Sequence, residues 1–362
     1  MAPGNTIPPF ITQNGPVREV RFIKNADGSA DGGVHDLFTI SGRSDKPSGC
    51  NISQPDFSNT NNIIFRIPTP TFGNGLIESI TDSTIRNNLA SDPTGKKGQL
   101  GIKGHVNVNG NDGAVTRFGW KAQNKSLTVF AGEAYNVEMG VTNEVFNNER
   151  EEDPNCAKNG TPESDSTFGS LSFGASDVAA FRAFMRFLDQ PAPVTSFPGA
   201  TAASITDGAN LFSSTGCALC HTPTLMTGAS STSSLDHKAA NLYSDLAVHH
   251  MGSTLADGIM QGNAGPDEFR TAPLWGLGQR VFFLHDGRTN DLLQAIAAHA
   301  GNSKDCAATA SAETFAMEPG SRQVTAASAT FFCGSEANKV VDNFNALTAT
   351  QKQDLLNFLR SL

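Results

Sequence analysis

Val178, Phe181, Met185 and Leu188 recur at three- and four-residue intervals within DVAAFRAFMRFLDQP, and Leu355, Leu359 and Leu362 do the same within QKQDLLNFLRSL. Both patterns predict amphipathic helices, and their similar apolar spacing suggests that each closes a folding unit. Thr348 and Gln351 are placed as a capping box at the start of the second helix. Between the two lies PAPVTSFPGATAAS, rich in Pro, Ser and Ala and without periodicity, which reads as a linker. A further helix is expected from near Asp207. The stretch DLLQAIAAHAG predicts another, with Leu292, Ile296 and His299 on one face. Short β-prone pieces, Asn62 to Ile67 and Ser126 to Phe130, lie among Gly, Asn and Asp turns in the first half. The expected class is mainly α, with long loops and a few short strands in the N-terminal half. Two domains are expected, residues 1–195 and 205–362, because single cores stop growing well below 362 residues.

The helix that starts near Asp207 runs into Cys217, Ala218, Leu219, Cys220 and His221, a CxxCH sequence. Two thiols at this spacing add across haem vinyl groups, and the adjacent histidine is delivered to the iron, so haem c is the expected cofactor and a redox function follows. A zinc half-site is the competing reading, and no second CxxC or HxxxH completes it. The second half therefore has the order of a cytochrome c unit. The distal ligand must come from the remaining His and Met side chains of that half. His299, on an otherwise apolar helix face, is one candidate. Met251, in VHHMG, is the other and would raise the reduction potential. For His249 and His250 the reading is a loop that bonds haem propionates or its own backbone.

A net charge of −9 argues against nucleic acid and anionic membranes as partners, and no apolar run is long enough to span a bilayer. Haem attachment to CxxCH belongs to an extracytoplasmic compartment, so the expected location is periplasmic. The first residues lack a leader. The four other cysteines suit an oxidising compartment, and we expect Cys50 with Cys156 and Cys306 with Cys333, although three connectivities are open.

The segments VREVRFIKNADGSADGGVHDLF, VTRFGWKAQNKSL, FAGEAYNVEMGVTNE, GCALCHTP and DEFRTAPLWGLGQRVFFLHDGR together resemble the di-haem oxidoreductase family, related to bacterial di-haem cytochrome c peroxidases and MauG-type enzymes. The resemblance covers essentially the whole chain. It implies that the C-terminal haem ligand lies on the helix after HDG, at 299 − 285 = 14 residues, which favours His299 over Met251. It also implies a carboxylate over a peroxide-reactive N-terminal haem, carried over to Glu138 within Asn136, Val137, Glu138 and Met139, with Glu133 as the alternative. Such a group would move a proton between peroxide oxygens. Trp120 is a candidate electron mediator or a plain core aromatic, and Arg270, Arg280 and Arg288 are candidates for neutralising propionates. His35 and His105 read as exposed loop residues or as neighbours of the other haem.

The family has a CxxCH for each haem, whereas this chain has one. The expectation is an N-terminally truncated sequence that lacks the first motif, with a second haem in the full-length protein. A single-haem descendant is the other account. Two functions follow: a peroxidase-like oxidoreductase with His221 and His299 holding an electron-transfer haem, or a non-catalytic monohaem electron carrier. The expected partners are a small electron-donor protein or cytochrome, and peroxide. Thiol or disulfide chemistry is a weaker third reading, since haem consumes the only CxxC.

Overall fold

The computed structural model describes residues 10–31, 49–50, 55–148, 155–156, 162–164, 176–304, 306–307 and 332–362. Within them the chain is mainly helical. Helices α1 (Asn74–Ser79), α2 (Asp82–Ala90), α3 (Lys96–Leu100), α4 (Leu127–Met139) and α5 (Asp177–Phe187) lie before the linker, and α6 (Ala202–Thr215), α7 (Leu292–Ala297), α8 (Asn338–Asn345) and α9 (Ala349–Ser361) after it. Four two-stranded antiparallel ribbons complete the set. They pair β1 (Glu19–Phe22) with β2 (Ile63–Arg66), β3 (Leu225–Met226) with β4 (Ala239–Ala240), β5 (Val248–His250) with β6 (Glu268–Arg270), and β7 (Cys306–Ala307) with β8 (Phe332–Cys333). Short strands thus occur in both halves.

Local chemistry explains most boundaries. At α9 the Thr348 hydroxyl accepts from Gln351 N at 3.3 Å, and Gln351 Oε1 accepts from Thr348 N at 3.0 Å, so the expected capping box is formed. Leu355, Leu359 and Leu362 are buried as their spacing requires. The closing helix α5 buries Val178 and Met185, while Phe181 is 37% exposed. Strand β2 falls inside the β-prone Asn62 to Ile67 stretch. Ser126 to Phe130 is not a strand. Ser126 accepts from Val129 N at 3.3 Å and caps α4, so a local capping bond and packing against α5 and α1 override the β-prone Thr, Val and Phe.

Helix α6 begins at Ala202, earlier than Asp207, because Thr201 caps it through Ser204 N at 3.2 Å. It packs along α9 with Gly208 at the contact, where an added Cβ would lie 2.0 Å from the Asp354 carbonyl oxygen. The helix ends at Gly216, whose φ of 108° turns the chain into a 3-10 turn at Cys217–Leu219.

One core cluster joins Leu76, Ile77, Leu127, Val178 and Met185 to Leu225, Leu242, Leu246 and Trp275, so residues on both sides of the linker share it. A second gathers Phe212, Phe283, Leu292, Phe344, Leu355 and Phe358. A third, Ile67, Trp120, Leu255 and Phe269, lies between halves in sequence. Cys50 and Cys156 form a disulfide, as expected. The register sets the backbone of Cys306 opposite Cys333. Their side chains lie outside the described residues.

Candidate functional site

A cavity of about 230 Å³, partly open to solvent, is lined by residues of the second and third clusters. Cys217, Cys220 and His221 form one side of it, and His299, Met251 and Trp120 also line it. The turn after α6 delivers the first three, held by His221 N donating to Cys217 O at 2.9 Å. His221 Nδ1 is 2.9 Å from the Tyr243 carbonyl oxygen. His299 follows the last turn of α7, and its Nδ1 is 2.7 Å from the Ala295 carbonyl oxygen. Carbonyls only accept, so both Nδ1 atoms carry the hydrogen and both Nε2 atoms keep a lone pair. Burial, then the neighbouring His299, pushes His221 down to about 4, and burial lowers His299 as well. Both rings are therefore neutral at physiological pH. Tyr243, with φ 51°, and Leu246, with φ 59°, adopt left-handed backbone beside this site, a conformation non-glycine residues hold only when their surroundings impose it.

His249 also faces the cavity, but both its nitrogens are engaged. Nε2 is 3.0 Å from Asp245 Oδ2 and Nδ1 is 2.8 Å from Glu336 Oε2, with Cys220 Sγ 3.9 Å from Nδ1. Burial opposes its protonation, but its neighbours Cys220 and Asp245 outweigh that and raise its pKa well above the ordinary value. His249 therefore belongs to strand β5 and binds two carboxylates, in place of the loop and propionate contacts expected. Glu336 also accepts from Lys103 N at 2.8 Å and Gly104 N at 2.9 Å, tying three distant segments together. Asp245 and Glu336 were not read from the sequence. The Asp245 to His249 spacing is a weak signal, and Glu336 is 87 residues from its partner.

Arg270 and Arg280 line the cavity as well. Arg270 Nε donates to Gly119 O at 2.8 Å, while its buried Nη1 has no hydrogen-bond partner among the described residues. Burial, with Arg280 nearby, lowers Arg270 to about 10. Arg280 Nε donates to Phe282 O at 2.9 Å, and its guanidinium lies 5.6 Å from the Trp120 ring centre. Arg288 instead turns to Asp286 at 2.7 Å and the Thr254 carbonyl at 2.7 Å and does not line the cavity. His285 stacks on Phe269 at 4.3 Å, and burial pushes it down to about 4. A cavity with apolar walls, two imidazole lone pairs and a buried cation lacking an acceptor suits a planar, carboxylate-bearing group that offers a metal to nitrogen.

Glu138 does not line this cavity. It sits exposed on the last turn of α4 beside Glu19, and is pushed up to about 7 by partial desolvation and then by the Glu19 and Glu133 carboxyls. Glu133 is held by the side chains of Asn124 and Gln123. Asn136 Nδ2 donates to Asn148 O at 3.0 Å. His35 lies outside the described residues.

Residues 24–319 match the family described as "Di-haem oxidoreductase, putative peroxidase". A solved structure of a MauG-like protein associated with microbial copper homeostasis aligns with 82% of this chain and 90% of its own, at 16% identity and a TM-score of 0.30. No curated protein matches the chain. Among the described residues no helix is long and apolar enough to cross a membrane.

Proposed function

We infer the function of this chain from its family: it belongs to the di-haem oxidoreductases, the match taking in residues 24–319. Haem is the family's cofactor, and we propose that this chain holds a haem c through Cys217 and Cys220, with His221 as proximal ligand and His299 as distal ligand. Haem supplies one-electron chemistry at its iron. The observation that carries the reading is the pair of neutral imidazoles, His221 and His299, each tied through Nδ1 to a carbonyl and each lining the cavity that the two cysteines also line. Such a bond behind the ring fixes the tautomer and orients the other nitrogen. Met251 lines the same cavity and is the competing ligand.

The chain's own residues supply the rest. The free Nη1 of Arg270, with Arg280 nearby, supports a role in neutralising propionates. A haem held by both histidines would supply electron transfer. The reactive site is assigned to the first domain, residues 1–195, with 205–362 as the cytochrome domain. There Glu138, with its pKa near 7, is suited to hold or release a proton at its carboxyl oxygen as peroxide reacts. The partners are peroxide and a small electron-donor protein or cytochrome. The Cys50–Cys156 disulfide supports an extracytoplasmic location. A non-catalytic electron carrier is the second reading, supported by the same two-histidine arrangement.

The test is the haem-to-protein ratio of the complete gene product, matured in the periplasm and assayed as a pyridine haemochrome. Two haems per chain support the di-haem peroxidase, and one supports the carrier. Cys217→Ala with Cys220→Ala should abolish covalent haem. His299→Ala should turn a low-spin spectrum high-spin, and an unchanged low-spin spectrum there, with a change in Met251→Ala, reassigns the ligand.

A further inference from the structure

A backbone bridge and a side chain fasten the segment around His105 to the ribbon β5–β6. His105 N donates to Val248 O at 3.0 Å, and Val248 N to His105 O at 2.8 Å. The ring then reaches across to β6, where Nε2 is 2.9 Å from Glu268 Oε1, while Nδ1 is 3.2 Å from the Val106 carbonyl oxygen. His250, opposite Glu268 in the register, brings its own Nε2 to 3.0 Å from the same Oε1, and its Nδ1 is 3.1 Å from both carboxylate oxygens of Asp267.

Carbonyl and carboxylate oxygens only accept, so all these contacts are satisfied when each ring carries a hydrogen on both nitrogens. Two imidazoliums thus donate to one carboxylate, and they do not hold their charge equally. His250 has a carboxylate at each end and its side chain is 17% exposed. His105 has one carboxylate, is 41% exposed and is opposed by the charge of His250. His105 is therefore the ring that titrates first. Burial opposes its charge, but Glu268 and the Val106 carbonyl outweigh that and raise the pKa, so its contribution is complete below the ordinary 6.5 and is lost as pH rises through the folded value. A neutral ring has one hydrogen for two acceptors and must release either Glu268 or Val106.

The place of this segment gives the release a consequence. Ile102, His249 and Glu336 all line the cavity. Gly104, with φ 58°, lies against the His249 ring, where an added Cβ would come 2.5 Å from Cε1. Lys103 N and Gly104 N donate to Glu336 Oε2 at 2.8 and 2.9 Å. Glu268 is itself held, by Gly265 N on Oε2 at 2.7 Å and by Lys121 Nζ on its carbonyl at 2.8 Å, so the fixed end of the contact is on the ribbon and the movable end on the segment. We propose that His105 is a pH-sensitive clasp: charged, it fastens residues 102–106 across the ribbon β5–β6 and closes that wall of the cavity, and neutral, it lets the segment open. The inference concerns the protein wall alone and is independent of what the cavity binds.

Hydrogen–deuterium exchange of the full chain in its cofactor-loaded form, read by mass spectrometry over residues 102–106 at pH about 5.5 and about 8.5, tests the clasp. After correction for the intrinsic rise of exchange with pH, local opening should increase between the two by about fivefold more in natural protein than in His105→Gln, as for the loss of one partly exposed ion pair. Glu336 and His249 face the same segment, and their own response to pH persists in the variant, so the difference belongs to His105. In Glu268→Gln the side-chain amide donates to Nε2 of the neutral ring, both contacts survive the loss of charge, and the extra increase should again disappear. That variant carries the test should His105→Gln fail to fold. An equal increase in natural protein and in either folded variant, or no increase in natural protein, overturns the clasp.

Discussion

Replacing Glu336 by glutamine keeps the side-chain volume and removes its charge at a point where three segments meet. Oε2 receives Lys103 N, Gly104 N and His249 Nδ1 at 2.8, 2.9 and 2.8 Å, and Oε1 receives His250 N at 3.3 Å. A glutamine oxygen can serve the first group, but its amide then faces the His250 N–H donor to donor. The Glu336 and His249 side chains are each 3% exposed. Breaking a buried pair costs about 3–5 kcal/mol, and Asp245 still partners His249 at 3.0 Å, so the lower end, about 3 kcal/mol, is expected. With 362 residues at about 2.1 cal/mol/K each, the unfolding entropy is about 0.76 kcal/mol/K, which makes this a fall of about 4 °C in Tm.

The pH dependence follows from the two shifts. His249 is raised, so its contribution is complete below its ordinary 6.5 and is lost as pH rises through the folded value. Burial raises Glu336, but the hydrogen bond and charge of His249 together with the Lys103 and His250 N–H groups outweigh it and lower the pKa, so its contribution is complete above its ordinary 4.5 and is lost as pH falls through the folded value. The difference between natural protein and Glu336→Gln is therefore widest between 4.5 and 6.5. Urea unfolding followed by circular dichroism, at pH about 5.5 and about 9, measures it. A difference under about 1 kcal/mol at the lower pH, or one that grows at the higher, refutes the reasoning.

Gly208→Ala should destabilise the protein by about 1–2 kcal/mol, although alanine is the better helix former by about 1 kcal/mol, because the new Cβ meets Asp354 O at 2.0 Å and Phe358 Cβ at 2.7 Å. A higher urea midpoint would show that helix propensity wins. Glu138→Gln should lower peroxide turnover by about a hundredfold or more with haem content unchanged, and erase an inflection near pH 7. Full turnover with the inflection retained removes its acid–base role. Cys50→Ala with Cys156→Ala opens a crosslink between residues 106 apart, and a loss of about 2–4 kcal/mol is expected. Equal melting of the natural protein with and without reductant would contradict that.

The helices that form one apolar face were legible, as α9 shows, since a 3.6-residue repeat and a capping box are local signals. The CxxCH turn and the HDG helix were legible for the same reason. Ser126 to Phe130 misled because β-prone residues stand next to a serine whose cap is visible only once the helix exists. The Phe181 position misled because a periodic pattern marks a face without naming what covers it. Glu336 could not be found at all, since its partners are set by packing across more than two hundred residues to Lys103. Arg270 and Arg280 were separable from Arg288 only after the cavity was seen.

Leu355 and Leu359 of α9 belong to the same cavity wall as Cys217, although they follow it by more than a hundred positions. A growing polypeptide thus exposes its CxxCH long before the wall behind it exists. Synthesis must pass Leu359 before the pocket can close, and a chain halted at Thr348 would carry both cysteines and both imidazoles with the pocket left open on one side. The order of synthesis therefore decides when this cavity can close.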